Sequence, residues 1–266
     1  MSKKRAFLVG INYRGTANEL RGCINDVINV KQLLISKYGY IESNILVMTD
    51  DTPIKPTRAN IIEGWKWLLS GSPPSAFGSQ YVAPIGITNL FFQYSGHGSR
   101  VLDRNSEERD GYDETICPLN FATAGMITDD IIRTELANKV PYNCTLTSLI
   151  DACHSESSFD LLWSVTPTVT GSTLTRVGNY TATNGDVMML SGCRDYQTSA
   201  DIYIGGMSQG ALTYAFLEIL KRVNYNISCE NLLKSIRTFI STNRLSYQIP
   251  CLSFGKTANV SRNFVI

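Results

Sequence analysis

The 266-residue chain contains only two histidines, His97 and His154, and none of its seven cysteines forms a Cys-x-x-Cys pair. The first scarcity restricts acid–base chemistry near neutral pH to two positions. The second, with the odd cysteine count, argues against a disulfide framework and against a structural zinc site. A surplus of either charge is also missing. Twenty-four Lys and Arg face 23 Asp and Glu, a net charge of +1, which is no electrostatic footprint for nucleic acid or an anionic membrane. No apolar run approaches the roughly 18 to 20 residues that span a bilayer, and the first residues turn polar at Asn12 before a signal-peptide core can form. These absences predict a cytoplasmic protein in a reducing compartment, with no nucleic-acid and no membrane partner. What is present is the composition of a packed globular protein, 43% hydrophobic and 18% charged, with enough chain for one large core.

Apolar β-rich runs alternate with stretches of helical period, the pattern of parallel strands joined by crossover helices. Strands are predicted at 6–11, 45–48, 90–94, 145–150 and 187–190, and a sixth at 249–254. Helices are predicted at 25–38, 58–69, from near Asp129, and at 211–223 and 229–242, with Thr57 and Ser228 as N-caps. The fold class is α/β: a three-layer sandwich with a mainly parallel central sheet and helices on both faces. Residues 70–86, rich in Ser, Pro and Gly, read as a surface insertion. Residues 161–185, dominated by Thr, Ser, Val and Gly without helical period, read as a linker or loosely ordered loop between a larger part, 1–160, and a smaller one, 186–266. The smaller part is too short to bury a core alone, so 1–266 is taken as one domain.

Both histidines stand where chemistry is expected. His97 lies in Tyr94-Ser-Gly-His-Gly98, directly after the third strand, and Cys153 in Asp151-Ala-Cys-His-Ser155, directly after the fourth. Ligands bind at the carboxyl ends of strands in open parallel sheets, so an imidazole and a thiol are delivered to one edge. A free thiol has a pKa of about 8.5 and needs a base or cationic partner, a role open to His97. The glycines beside His97 allow a tight turn and leave the Gly98 N–H exposed, where with the Cys153 N–H it can stabilise an oxyanion. A strand-end His is otherwise a structural polar group and a buried Cys an inert small hydrophobe. His154, next to the thiol in sequence, points to the other side of an extended chain and reads as structural.

Gly206-Met-Ser-Gln-Gly210 matches the nucleophile elbow of serine hydrolases, but both histidines precede Ser208, the wrong chain order. Ser208 reads instead as a helix N-cap. Acidic residues cluster at Asp103, Glu107, Glu108, Asp110, Asp113, Glu114, Asp129 and Asp130. The cluster is either a solvated loop or, with carboxylates from separate loops converging, a site for a hard cation such as Ca2+.

Five ordered motifs together resemble the metacaspases, cysteine peptidases of the caspase-like clan: Phe7-Leu-Val-Gly-Ile-Asn-Tyr13, Leu20-Arg-Gly-Cys-Ile-Asn-Asp-Val27, Tyr94-Ser-Gly-His-Gly98, Asp151-Ala-Cys-His-Ser155 and Ser191-Gly-Cys-Arg-Asp-Tyr-Gln-Thr-Ser-Ala-Asp201. His97 precedes Cys153 by 56 positions, near the separation of about 50 found in caspases, whereas the caspase pentapeptide Gln-Ala-Cys-x-Gly is absent.

The resemblance implies a caspase-like fold and a calcium-activated endopeptidase cleaving protein or peptide substrates after Arg or Lys, generally as a monomer. It implies Cys153 as nucleophile, His97 as general base and acid, and the Gly98 and Cys153 amides as oxyanion hole. Asp26 and Asp151 would line the pocket for the basic side chain, shaped further by Cys23 and Ser95. Asp113, Asp129, Asp130 and Asp160 would hold the calcium ion. Arg176, the one basic residue between 161 and 185, is the predicted autoprocessing site. Where the family usually has His-Ser-Gly after the cysteine, this chain has Glu156, and a Pro- or Gln-rich N-terminal extension is not expected. Glu156 motivates the alternative of an inactive caspase-fold scaffold.

Overall fold

The computed structural model describes residues 4–70, 86–103, 111–153, 155, 157–167, 172–192, 201–204, 206–257 and 259–266. In chain order the elements are β1 (Lys4–Gly10), α1 (Cys23–Tyr38), β2 (Ile45–Thr49), α2 (Arg58–Ser70), β3 (Asn89–Ser95), β4 (Gly98–Leu102), β5 (Tyr112–Ile116), α3 (Phe121–Ala124), β6 (Ile127–Thr128), α4 (Asp129–Glu135) and β7 (Thr145–Asp151). There follow β8 (Trp163–Pro167), β9 (Ser172–Arg176), β10 (Asp186–Ser191), β11 (Asp201–Ile204), β12 (Met207–Gly210), α5 (Ala211–Arg222), α6 (Cys229–Thr242) and β13 (Cys251–Phe254).

The central sheet runs β2-β1-β3-β7-β10-β13-β8-β9. Its first five strands are parallel, and β13 pairs antiparallel with β10. Successive side chains of a strand face opposite sides, and the two cores follow that alternation. Phe7, Val9, Phe92, Leu146 and Val187 face α2 and α4 with Trp65, Leu68 and Ile132. Ala6, Leu8, Phe91, Leu149 and Met188 face α1, α5 and α6 with Val30, Phe216 and Leu233. Burial of each large apolar side chain contributes roughly 1.5–3 kcal/mol, so helices on both faces are the physical solution for strands apolar on both sides. The buried Arg5 guanidinium donates to the Trp67 and Leu68 carbonyls, tying the last turn of α2 to β1. The Ser228 hydroxyl accepts from the Asn231 N–H as the cap of α6, and the Thr57 hydroxyl accepts from the Asn60 N–H at the start of α2.

Two expectations are corrected. Residues 161–185 are no plain linker: β8 and β9 form an antiparallel hairpin that joins the central sheet through β13. Their β-branched Val and Thr residues suit a strand once a partner edge is available. One sheet therefore takes strands from both sides of this segment. Ser208 is not a helix cap; it lies in β12, paired with Tyr203, and Gly210 stands at the N-cap of α5. Nearly all of the Ser70–Gly86 insertion, together with His154, Glu156, Glu107, Glu108, Asp110 and residues 193–200, lies outside the described residues.

Candidate active site

The parallel register sets Gly10, Ser95 and Asp151 side by side at the ends of β1, β3 and β7. The segments that leave these three ends build the site. His97 follows β3 by two residues and Cys153 follows β7 by two, and both are partly exposed. Their loops touch through backbone: a Cβ added at Gly98 would collide with the Cys153 carbonyl and lie 3.2 Å from the Cys153 nitrogen. Glycine at 98 is thus required by close approach. Gly96 has a like reason, since a Cβ there would lie 2.6 Å from the Tyr94 hydroxyl and 2.9 Å from that of Tyr13.

The imidazole of His97 is held from the other side. Its Nε2 lies 2.7 Å from the Asn18 carbonyl oxygen. A carbonyl only accepts, so Nε2 carries the proton and Nδ1 is the basic nitrogen of the neutral ring. Sequence reasoning missed Asn18, since a backbone carbonyl leaves no side-chain signature. It missed Tyr13 and Tyr94 as well, although both stand in motifs already singled out. The Tyr13 ring lies against the imidazole, centroids 4.8 Å apart.

Asp26 of α1 and Asp151 of β7 are both buried. Asp26 accepts from the Ser95 hydroxyl at 2.9 Å and from the Gly210 N–H at 2.9 Å. Asp151 accepts from the Thr213 N–H at 2.8 Å and hydroxyl at 2.9 Å. Both carboxylates abut Gly210. The two predicted pocket acids, with Ser95, therefore do converge, and the β12–α5 junction closes over them. Cys23 opens α1 and is buried, its carbonyl against Gly10.

Three of the four residues in the second predicted group also converge. One carboxylate oxygen from each of Asp129, Asp130 and Asp160 lies within 4.8 Å of the others. Asp113 on β5 is near enough that its charge acts on Asp129. Burial, then the charge of Asp160, pushes the Asp129 carboxyl up to about 9, against which the Glu114 and Asp130 N–H groups donate to it. Three carboxylate oxygens converging from two segments, one of them too desolvated to ionise readily, fit a hard divalent cation, which favours oxygen ligands and supplies the missing charge. Asp103, at the start of the acidic run, donates its N–H to the Gly111 carbonyl and is not part of this cluster.

Burial also pushes the Cys117 thiol up to about 12, with the neighbouring Cys153 adding to the shift. No helix among the described residues is long and apolar enough to cross a membrane.

The mixed sheet, helices on both faces and the loops at its carboxyl edge place the fold in the caspase-like α/β class. The chain belongs to the metacaspase family, which implies a cysteine-type peptidase: the family model described as "Metacaspase, peptidase C14 domain" matches residues 4–162. It is 37% identical to Metacaspase-1 of Schizosaccharomyces pombe over 94% of this chain and 67% of that protein. Identity to Metacaspase-1 of Arabidopsis thaliana is 37%, over 90% of this chain and 65% of the relative. Identity to Metacaspase-1 of Yarrowia lipolytica is 34%, over 99% and 64%. The chain thus spans about two thirds of the length of these relatives. The crystal structure of protein GSU0716 from Geobacter sulfurreducens superposes with a TM-score of 0.64 at 21% identity, covering 98% of this chain and 97% of that one, a likeness of fold.

Proposed function

We propose that the protein is a calcium-dependent cysteine endopeptidase that cleaves after Arg or Lys, with Cys153 as nucleophile and His97 as its proton acceptor and donor. The observation that carries this reading is the bond of His97 Nε2 to the Asn18 carbonyl beside a Gly98 backbone in contact with Cys153. That bond leaves Nδ1 to take the thiol proton, and it strengthens when the ring becomes imidazolium. The thiolate attacks the scissile carbonyl carbon, and the oxyanion accepts from the Gly98 and Cys153 N–H groups. Collapse breaks the C–N bond as His97 returns its proton to the leaving amine, giving a Cys153 thioester. A water molecule, deprotonated by His97, then attacks the thioester, and the departing thiolate regenerates the site.

Asp26 and Asp151 support the preference for Arg or Lys. Two carboxylates in a buried pocket attract a guanidinium or ammonium group and repel Asp or Glu. Asp113, Asp129, Asp130 and Asp160 would hold calcium, whose charge offsets their mutual repulsion and steadies the loop after Cys153.

Cleavage of paired fluorogenic peptides ending in Arg or in Asp, with calcium or chelator, tests the whole reading. Cleavage after Arg alone, lost with chelator and in Cys153→Ala, is the expected result. Silence from folded protein on every peptide would favour the inactive scaffold instead.

A further inference from the structure

The segment after β1 makes an unusual turn. Tyr13 adopts φ 50°, a left-handed conformation costly for a bulky side chain. It is held there by its neighbours' bonds. The Asp50 carboxylate accepts from the Asn12 N–H at 2.8 Å and the Arg14 N–H at 3.2 Å, and Thr16 donates to the Tyr13 carbonyl. The result is a phenol buried to 1% exposure directly beneath His97.

That hydroxyl joins three backbone segments. It accepts from the His97 N–H at 3.0 Å, donates to the Cys117 carbonyl at 2.6 Å, and lies 3.0 Å from the Tyr94 hydroxyl. The Tyr94 hydroxyl in turn donates to the His97 carbonyl at 2.8 Å and accepts from the Cys117 N–H at 3.1 Å. Both ends of the His97 peptide unit are thus tied to buried phenols, while the Tyr13 ring backs the imidazole. Burial pushes both phenols well above their ordinary range, so they stay protonated and act as fixed hydrogen-bonding groups.

We propose that Tyr13, seconded by Tyr94, is a positioning residue for the reaction: its hydroxyl and ring fix the His97 backbone and imidazole so that Nε2 meets the Asn18 carbonyl and Nδ1 serves Cys153. The turn that strains Tyr13 also carries Asn18, so one short segment supplies both the backing and the acceptor for the imidazole. Tyr13 has this role only if His97 is the base of the proposed peptidase, and the experiment separates the two.

Kinetics of Arg-peptide cleavage and the pH dependence of Cys153 alkylation by iodoacetamide, mapped by mass spectrometry, are compared for wild type, Tyr13→Phe, Tyr94→Phe and Tyr40→Phe. Tyr40 is a buried tyrosine on the opposite face of the sheet. In Tyr13→Phe a misplaced imidazole lowers kcat by about ten- to a hundredfold with KM changed less than about twofold. Its alkylation midpoint rises toward the free-thiol value of about 8.5. Tyr94→Phe moves both readouts the same way to a smaller extent, because the His97 carbonyl keeps the Cys117 N–H. Tyr40→Phe moves neither.

A Tyr13→Phe protein with lowered Tm but wild-type kcat and alkylation profile would overturn the proposal. Should Tyr13→Phe not fold, an unchanged profile in Tyr94→Phe would do so. If wild type cleaves no peptide, the peptidase reading fails, while the alkylation profiles still decide whether Tyr13 governs the His97–Cys153 pair.

Discussion

At the scale of single residues, the two buried carboxylates do different structural work in one place. Asp26 is bound by Ser95 and Gly210, Asp151 by Thr213. Replacement of Asp26 by Asn removes the charge and turns one carboxylate oxygen into an amide donor, leaving a single oxygen to accept from Ser95 and Gly210. If the pocket reads Arg by that charge, Asp26→Asn loses about thirtyfold to several thousandfold in kcat/KM on Arg peptides, the effect of deleting one partner of a buried charge pair. The rate of Cys153 alkylation by iodoacetamide should hold, because the thiol and imidazole are untouched. Steady-state kinetics on Arg peptides check this, and an unaltered kcat/KM would remove Asp26 from the pocket. The glycines at 96 and 98 show the same economy: each yields space to a named neighbour, a phenol pair at 96 and the Cys153 carbonyl at 98.

At the scale of elements, the β8–β9 hairpin changes what processing at Arg176 requires. Arg176 ends β9, opposite Trp163, and the following Val177 N–H donates to the Leu162 carbonyl. Among the described residues β9 is the outer strand of the sheet, paired on one side only, with β8. A peptidase binds its substrate as an extended chain, so the last ladder bonds of β9 must open before the peptide bond after Arg176 can enter a site. Local opening of an edge strand is a low-cost fluctuation, and slow cutting is the expected behaviour. Intact-mass analysis of active protein incubated with calcium should show a cut after Arg176, absent in Cys153→Ala. Its absence in active protein would remove Arg176 as the processing site.

At the scale of the whole molecule, the acidic cluster links stability to pH and to metal. The Asp129 carboxyl is raised in the folded state from the ordinary carboxylate range to about 9, chiefly by burial and the charge of Asp160. The folded protein therefore binds a proton that the unfolded chain releases, and this contribution to stability is full below about pH 4. It is lost as pH rises toward the folded value. Metal-free protein should show a Tm that falls between about pH 4 and 9. Calcium should raise Tm most at the alkaline end, where its charge replaces the departing proton. Thermal melts with calcium or chelator across that range check the sign, and a metal-free Tm that climbs with pH would contradict it. Asp130→Asn should blunt the calcium response.

Much of the molecule was legible in the chain itself. The parallel strands were read from their apolar runs, and the helices from their period and caps. His97 and Cys153 were read from their places just after the third and fourth predicted strands, because those signals are local. The hairpin at 163–176 was not legible, since Thr- and Ser-rich sequence becomes strand only when β13 offers an edge. Nor was the cradle of His97. Tyr13, Asn18 and Cys117 lie far from His97 along the chain, and their contacts with it, like those of the nearby Tyr94, run through hydroxyls and backbone groups, whose partners only the folded sheet brings within hydrogen-bonding reach.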